Sequence, residues 1–251
     1  MLTLRSLIFT ALLFASAIFG AALELIFFWA PFRVKWGIAT GWARFCLWAG
    51  RFFCGLDVTT EGTENIPDEP SVFLIKHTTA MEAYWQIAAL PPSTWVLKRE
   101  LLWVPVFGWA LRVVMKSIAV DRSAGGPAVK QVIAQGKDRI ASGMSVCIFP
   151  EGTRMAPGES RRYGVSGAAL ARETGCPVVP VAHNAGDFWP RRGLRKMPGN
   201  IRFCIGPPID PSTQSPKETN LMVQEWIENK MREISRAYQT GNAIKNRPSC
   251  R

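Results

Sequence analysis

Residues 6–23 carry no charge, and the apolar run that starts after Arg5 crosses Glu24 and continues to Phe32. A helix over the uncharged stretch spans about 27 Å, close to a bilayer core of about 30 Å. A cleavable leader is the alternative reading, with Ala15-Ser16-Ala17 or Gly20-Ala21-Ala22 as its cleavage site. The run continues past both sites, which favours a retained anchor. Pro31 should break the helix. A second helix is predicted over about 34–56, with Trp36, Trp42, Phe45, Trp48, Phe52 and Phe53 in the lipid boundary. Arg33, Arg44 and Arg51 fall on one face of it, toward headgroups, as in an interfacial helix.

From Asp57 onward short apolar runs alternate with longer stretches of helical period. Strands are predicted at 71–76, 94–97, 117–120, 146–149, 177–182 and 201–205. Helices are predicted at 79–90, 105–115, 127–142, 167–173 and 218–238. Strands alternating with helices imply an α/β fold: a mixed, largely parallel central sheet flanked by helices, with the N-terminal membrane helix pair in front. The expected organisation is an anchor over 1–56, one globular domain over 57–240 and a disordered tail over 241–251.

Composition sharpens this picture. The chain has 251 residues and is 48% hydrophobic, with a formal net charge of +11. That hydrophobic content excludes intrinsic disorder, and a basic chain this apolar points to a membrane before nucleic acid. Up to Leu56 there are five basic residues and one acid, so the positive-inside rule places the remainder on the cytoplasmic side of an inner or plasma membrane. The six cysteines form no C-x-x-C pair and the two histidines are far apart, so no zinc-ligand spacing exists. The cysteines read as reduced core residues.

Two clusters could carry chemistry. His77 ends a predicted buried strand, at the edge where open α/β sheets bind ligands. Glu82 follows in the first turn of the next helix, placed to orient the imidazole and stabilise its charged form. Thr79-x-x-Glu82 is equally a capping box. The second cluster is Phe149-Pro150-Glu151-Gly152-Thr153-Arg154, at the exit of another strand. Arg154 can fork onto a phosphate there, and Gly152 lets backbone N–H groups approach it. Taken alone, the hexapeptide is also compatible with a surface turn.

Together these blocks resemble the glycerolipid acyltransferase family, and within it the 1-acylglycerol-3-phosphate acyltransferases. His77-Thr78-Thr79-Ala80-Met81-Glu82 matches an H-x-x-x-x-D block with Glu for the usual Asp, and residues 149–154 match F-P-E-G-T-R throughout. Lys98-Arg99-Glu100-Leu101, Pro105, Gly108 and Trp109 match an intervening K-x-E-L-x-x-x-P-x-x-G-W stretch. Val120-Asp121-Arg122 and Val178-Val179-Pro180-Val181 complete the order over about 57–210. The resemblance implies acyl transfer from acyl-CoA or acyl-carrier protein to the hydroxyl of lysophosphatidic acid, with no cofactor and no metal. It implies His77 as general base and Glu82 as its partner. Lys98, Arg122 and Arg154 would hold the acceptor phosphate, while Glu151, Gly152 and Thr153 shape the loop. The Glu at position 82 keeps lipid A acyltransferases as a second reading.

Three other readings are weaker. Gly164-Val165-Ser166-Gly167-Ala168 loosely echoes a hydrolase nucleophile elbow, but no strand is predicted immediately before it, and Ser166 reads as a helix cap. His183 would be the one base downstream. A non-catalytic lipid-binding protein on the same fold is opposed by His77 and the complete F-P-E-G-T-R block at 149–154. The basic run Arg191-Arg192-Gly193-Leu194-Arg195-Lys196 has no accompanying nucleic-acid signature, and reads as a solvated loop facing anionic lipid or an acidic carrier.

Overall fold

The computed structural model describes residues 1–121, 126–191 and 193–240. The expected disorder of the tail over 241–251 lies outside the described residues. The chain opens with helix α1 (Leu2–Ile26), then α2 (Phe32–Cys54), with Pro31 at the α2 N-cap as its fixed φ favours. Gly55 closes α2 in the left-handed conformation, and strand β1 (Leu56–Glu61) begins at once. Next come β2 (Val72–Ile75), α3 (Met81–Ala89), β3 (Ser93–Lys98), a short 3-10 turn at Arg99–Trp103, α4 (Phe107–Val113) and β4 (Ile118–Val120). The remainder is α5 (Gly126–Ala141), β5 (Ser145–Ile148), α6 (Ser166–Thr174), β6 (Val178–His183), α7 (Ala185–Phe188), β7 (Gly199–Ile205), α8 (Pro216–Ile234) and α9 (Arg236–Gln239).

The seven described strands form one sheet in the order β1-β7-β6-β2-β5-β3-β4. Neighbours are parallel except β6 and β7. The sheet is therefore mixed and largely parallel, as expected. β1 is absent from the sequence reading, because its alternating Leu-Asp-Val-Thr-Thr-Glu has one fully buried residue and no apolar run. Central β2 is buried at every position, which explains its unbroken apolar sequence.

Period-two alternation distributes the core over two faces. Phe73 and Ile75 join Phe203, Trp85 and the inner sides of α1 and α2. Val72 and Leu74 join Leu170, Val223 and Ile227, from α6 and α8 on the opposite face. Helix α6 lies close on β2 because Gly167 has no side chain: a Cβ there would stand 2.5 Å from Leu74 Cδ2. Ser166 is the first residue of α6, and the N-cap position is Val165, with no side-chain cap. The capping role expected of Ser166 is thus corrected by one residue. A seventeen-residue loop without a strand, residues 149–165, precedes it, so nothing builds a nucleophile elbow.

α1 is apolar all round. It buries Phe9, Leu13, Gly20 and Ala21 and exposes Leu4, Ile8, Phe14, Ile18 and Phe19. Among the described residues it is the one helix long and apolar enough to cross a membrane. α2 runs back along it, with Trp42 Nε1 donating to Ser16 Oγ at 3.2 Å. The expected aromatic lipid face of α2 is only partly realised. Phe45, Trp48 and Phe52 are exposed, but Trp36 is buried against Val114 and Met115. Trp42 packs on Tyr84, and Phe53 turns to the core. The reason is that α2 also has the sheet domain to cover, and α3 packs along it. All five described cysteines are free and buried.

Candidate active site

The alternation of β2 decides where the chemistry points. Continuing past Ile75, Lys76 follows Leu74 toward α6 and α8, and His77 follows Ile75 toward α3. The His77 imidazole stacks on the Phe149 ring, with centroids 3.9 Å apart and an interplanar angle of 16°. Its Nδ1 lies 2.6 Å from Glu82 Oε2, and its side chain stays 14% exposed while that of Glu82 is fully buried.

Glu82 answers the sequence's two readings at once. One oxygen takes His77; the other accepts the backbone N–H of Thr78 at 2.7 Å and that of Thr79. The Thr79 hydroxyl accepts from Met81 N–H at 2.7 Å, so the reciprocal half of the expected capping box is shifted by one residue. Burial opposes the charge on Glu82. The imidazole of His183, the His77 hydrogen bond and the Thr79 N–H outweigh it and hold the carboxyl below the usual range.

His183 is a member of this site that sequence reasoning passed over. Its signal was the strand pairing: Ile75 aligns with Val181, so positions 77 and 183 end up side by side. His183 Nε2 lies 3.3 Å from Glu82 Oε1 and donates to the Lys76 carbonyl at 2.8 Å. Its Nδ1 accepts from Ala185 N–H at 3.2 Å. Burial pushes its pKa down, so a neutral imidazole sits behind the carboxylate.

The loop after β5 folds back over His77. Met155 N–H donates to the His77 carbonyl at 2.7 Å, and Glu151 Oε2 accepts the His77 N–H at 2.8 Å. Gly152 makes the turn at a φ of 67°, where a side chain would be strained. Glu151 faces inward: its side chain is fully buried, with Oε1 2.7 Å from Lys76 Nζ. Of the loop residues expected to meet substrate, Glu151 thus reaches it only through His77. Gly152 and Arg154 are exposed and Thr153 is half-buried, around the His77 edge. Burial, only partly offset by Lys76, pushes the Glu151 carboxyl up to about 7. Arg154 also lies within electrostatic reach of the Tyr84 hydroxyl.

Lys98 ends β3, two strands from β2 and so about 10 Å along the same sheet edge. It is exposed and pairs with Glu100 at 3.1 Å. Arg122, expected beside it, lies outside the described residues. Arg99 and Asp121 pair at 3.3 Å across the ends of β3 and β4. The parallel strands β2, β5, β3 and β4 thus deliver His77, the 149–154 loop, Lys98 and the chain leading to Arg122 to one edge.

The acyltransferase family model matches residues 57–184. A 1-acyl-sn-glycerol-3-phosphate acyltransferase of Pseudomonas aeruginosa is 41% identical over 239 residues, covering 92% of each chain. One from Cocos nucifera is 23% identical over 222 residues, 86% of this chain and 70% of its own. Among solved structures, the 1-acyl-sn-glycerophosphate acyltransferase of Thermotoga maritima superposes with a TM-score of 0.77 at 22% identity. It covers 92% of this chain and 94% of its own, and shows a shared fold.

Proposed function

The chain belongs to the acyltransferase family and is an O-acyltransferase, and from that premise we propose that it acylates the sn-2 hydroxyl of 1-acylglycerol-3-phosphate, giving phosphatidic acid. The observation that carries the reading is the His77–Glu82 pair at 2.6 Å, with the His77 ring partly exposed at the edge where the 149–154 loop closes over it. The named activity of the Pseudomonas aeruginosa relative supports the choice of acceptor.

An alcohol is a weak nucleophile near neutral pH, so its proton must leave as it attacks. With Nδ1–H donated to the Glu82 carboxylate, the Nε2 lone pair of His77 is free to take that proton. The hydroxyl oxygen bonds to the thioester carbonyl carbon, the C–S bond breaks, and the departing thiolate takes the proton back from His77. Glu82 stabilises the imidazolium in between. The thioester of acyl-CoA or acyl-carrier protein brings the activation, so the reading calls for neither metal nor cofactor. Arg154 and Lys98, with Arg122, hold the acceptor phosphate. Gly152 and Thr153 shape its approach, and Glu151 braces His77 from within. Residues 1–56 serve as the anchor and 57–240 as the catalytic part, on the cytoplasmic side of the membrane.

The test is transfer of a labelled acyl chain to lysophosphatidic acid from each donor. His77→Ala should reduce kcat by about 10²–10⁴-fold with the circular dichroism spectrum unchanged. Wild-type turnover in that variant would rule out the base.

A further inference from the structure

Behind His77, on the other face of the sheet, stands a chain of buried charges that none of the family blocks includes as a whole. Lys76 Nζ is enclosed between Glu151 Oε1 at 2.7 Å and Glu228 Oε1 at 2.9 Å, with the Glu159 carbonyl at 3.3 Å. The side chains of Lys76 and Glu151 are fully buried and that of Glu228 is 9% exposed. Glu228 belongs to α8, 152 residues further along the chain from Lys76. It accepts the Tyr163 hydroxyl at 2.8 Å and lies 2.9 Å from the Tyr238 hydroxyl. Glu151 gives its other oxygen to the His77 N–H at 2.8 Å. The links therefore run unbroken from α8 to the backbone of the base.

Buried ion clusters are poor stabilisers, since apolar residues of similar volume often do as well or better. What such a cluster does that an apolar one cannot is fix the direction of a carboxylate. Glu151 has two oxygens and two tasks, and it can hold His77 squarely only while Lys76 holds its other oxygen. Lys76 keeps that position only while Glu228 draws it from the α8 side. Burial opposes the Lys76 charge, but Glu151, the Tyr238 oxygen and Glu228 more than offset this and hold the ammonium above its usual range. Lys76 therefore stays charged between its two carboxyl partners.

We propose that Lys76 and Glu228 are positioning residues for the reaction: Glu228 holds Lys76, Lys76 aims Glu151, and Glu151 sets the backbone of His77 so that its ring meets Glu82. The proposal rests on the reading of His77 as the base. Glu228 touches no substrate and acts only through the chain it ends.

Glu228→Gln in the full chain, purified in detergent, tests this directly. Gln keeps the shape and can still accept from a tyrosine, but loses the charge that holds Lys76. A displacement of about 1 Å at a reacting group can lower a rate about 100-fold. A partial loosening should therefore lower kcat about tenfold and leave KM for lysophosphatidic acid unchanged. The downfield proton signal of the His77–Glu82 hydrogen bond should shift with it, which a role confined to stability would not produce. Tyr238→Phe, which removes one hydroxyl from Glu228, is the milder variant and should lower kcat by a smaller factor, about threefold on the same scale. Wild-type kcat with an unmoved signal in Glu228→Gln overturns the proposal, as does a loss confined to KM. If that variant does not fold, the same outcomes in Tyr238→Phe decide. His77→Ala is measured alongside. Activity retained there defeats the base reading itself; an inactive His77→Ala beside an unaffected Glu228→Gln defeats only the positioning chain.

Discussion

Two buried glutamates of the site respond to pH in opposite senses, because different partners face them. The Glu82 carboxyl is held low by imidazole and N–H donors. Its contribution to stability is present above the unfolded carboxylate range and fades as pH falls through the folded value. Glu151 is pushed up to about 7 by burial and by Glu228, against the pull of Lys76. Its contribution is full below the ordinary value of 4.5 and is lost as pH rises toward 7. Glu151→Gln removes that titration. Urea midpoints taken between pH 4.5 and pH 8 should then show the wild type losing ground against the variant as pH rises, most steeply between those two carboxyl values. A gap independent of pH would mean that Glu151 carries its charge throughout. At this scale the sequence was legible where chemistry is local: His77 and Glu82 are five residues apart, and the loop block is contiguous. Lys76, Glu228 and His183 were not, because they belong to the site only through strand register and a helix more than a hundred residues away.

The elements tell the same story about range. Helices with a repeated apolar stripe and strands with unbroken apolar runs were readable, since each is set by its own pattern. β1 and the antiparallel turn of β7 against β6 were not. They depend on which neighbour the strand meets, and Leu56–Glu61 meets only β7 at the sheet edge. Trp36 was misplaced for the same reason, its burial being decided by α4 and α3 rather than by α2. The sequence predicts an ordinary helix at 105–115, yet the segment around α4 exposes Leu101, Trp103, Val104, Trp109 and Val113 beside α1, against which α4 packs. Exposed apolar surface continuous with the apolar side of α1 should enter the same lipid boundary. An environment-sensitive fluorophore on a Trp103→Cys variant should brighten and shift to the blue when anionic vesicles are added, as should one on Trp48→Cys. One on Glu225→Cys, on α8 across the sheet, should not. An unchanged spectrum at position 103 would show that this surface stays in water.

At the scale of the molecule, the manner in which α1 is fastened constrains how the enzyme meets its bilayer. A helix of this length is about 37 Å long, enough to cross. Its first turns, however, are tied to the catalytic part: Arg195 donates to Thr3 at 2.8 Å, Lys196 N–H to Ser6 Oγ at 3.0 Å, and Phe9 packs edge-on against Trp189 at 5.6 Å. Its far end is tied as well, with Leu25 packed into the cluster of Trp36, Ile87 and Val114. A helix that crossed the membrane would have to release one of these ends. Held at both, it lies along the domain and offers the bilayer its outer apolar side, with Phe14, Ile18 and Phe19 exposed there. Arg5, on the first turns of α1, and Arg33 and Arg44, on α2, are exposed and suit anionic headgroups. An acceptor lipid could then reach His77 from the leaflet on which the enzyme sits. Single cysteines introduced at Leu2 and at Glu225 should therefore react with a membrane-impermeant maleimide from the same side of sealed vesicles. Labelling of position 2 only after the vesicles are opened would show that α1 crosses, and that the ties to Thr3 and Ser6 are broken in the membrane.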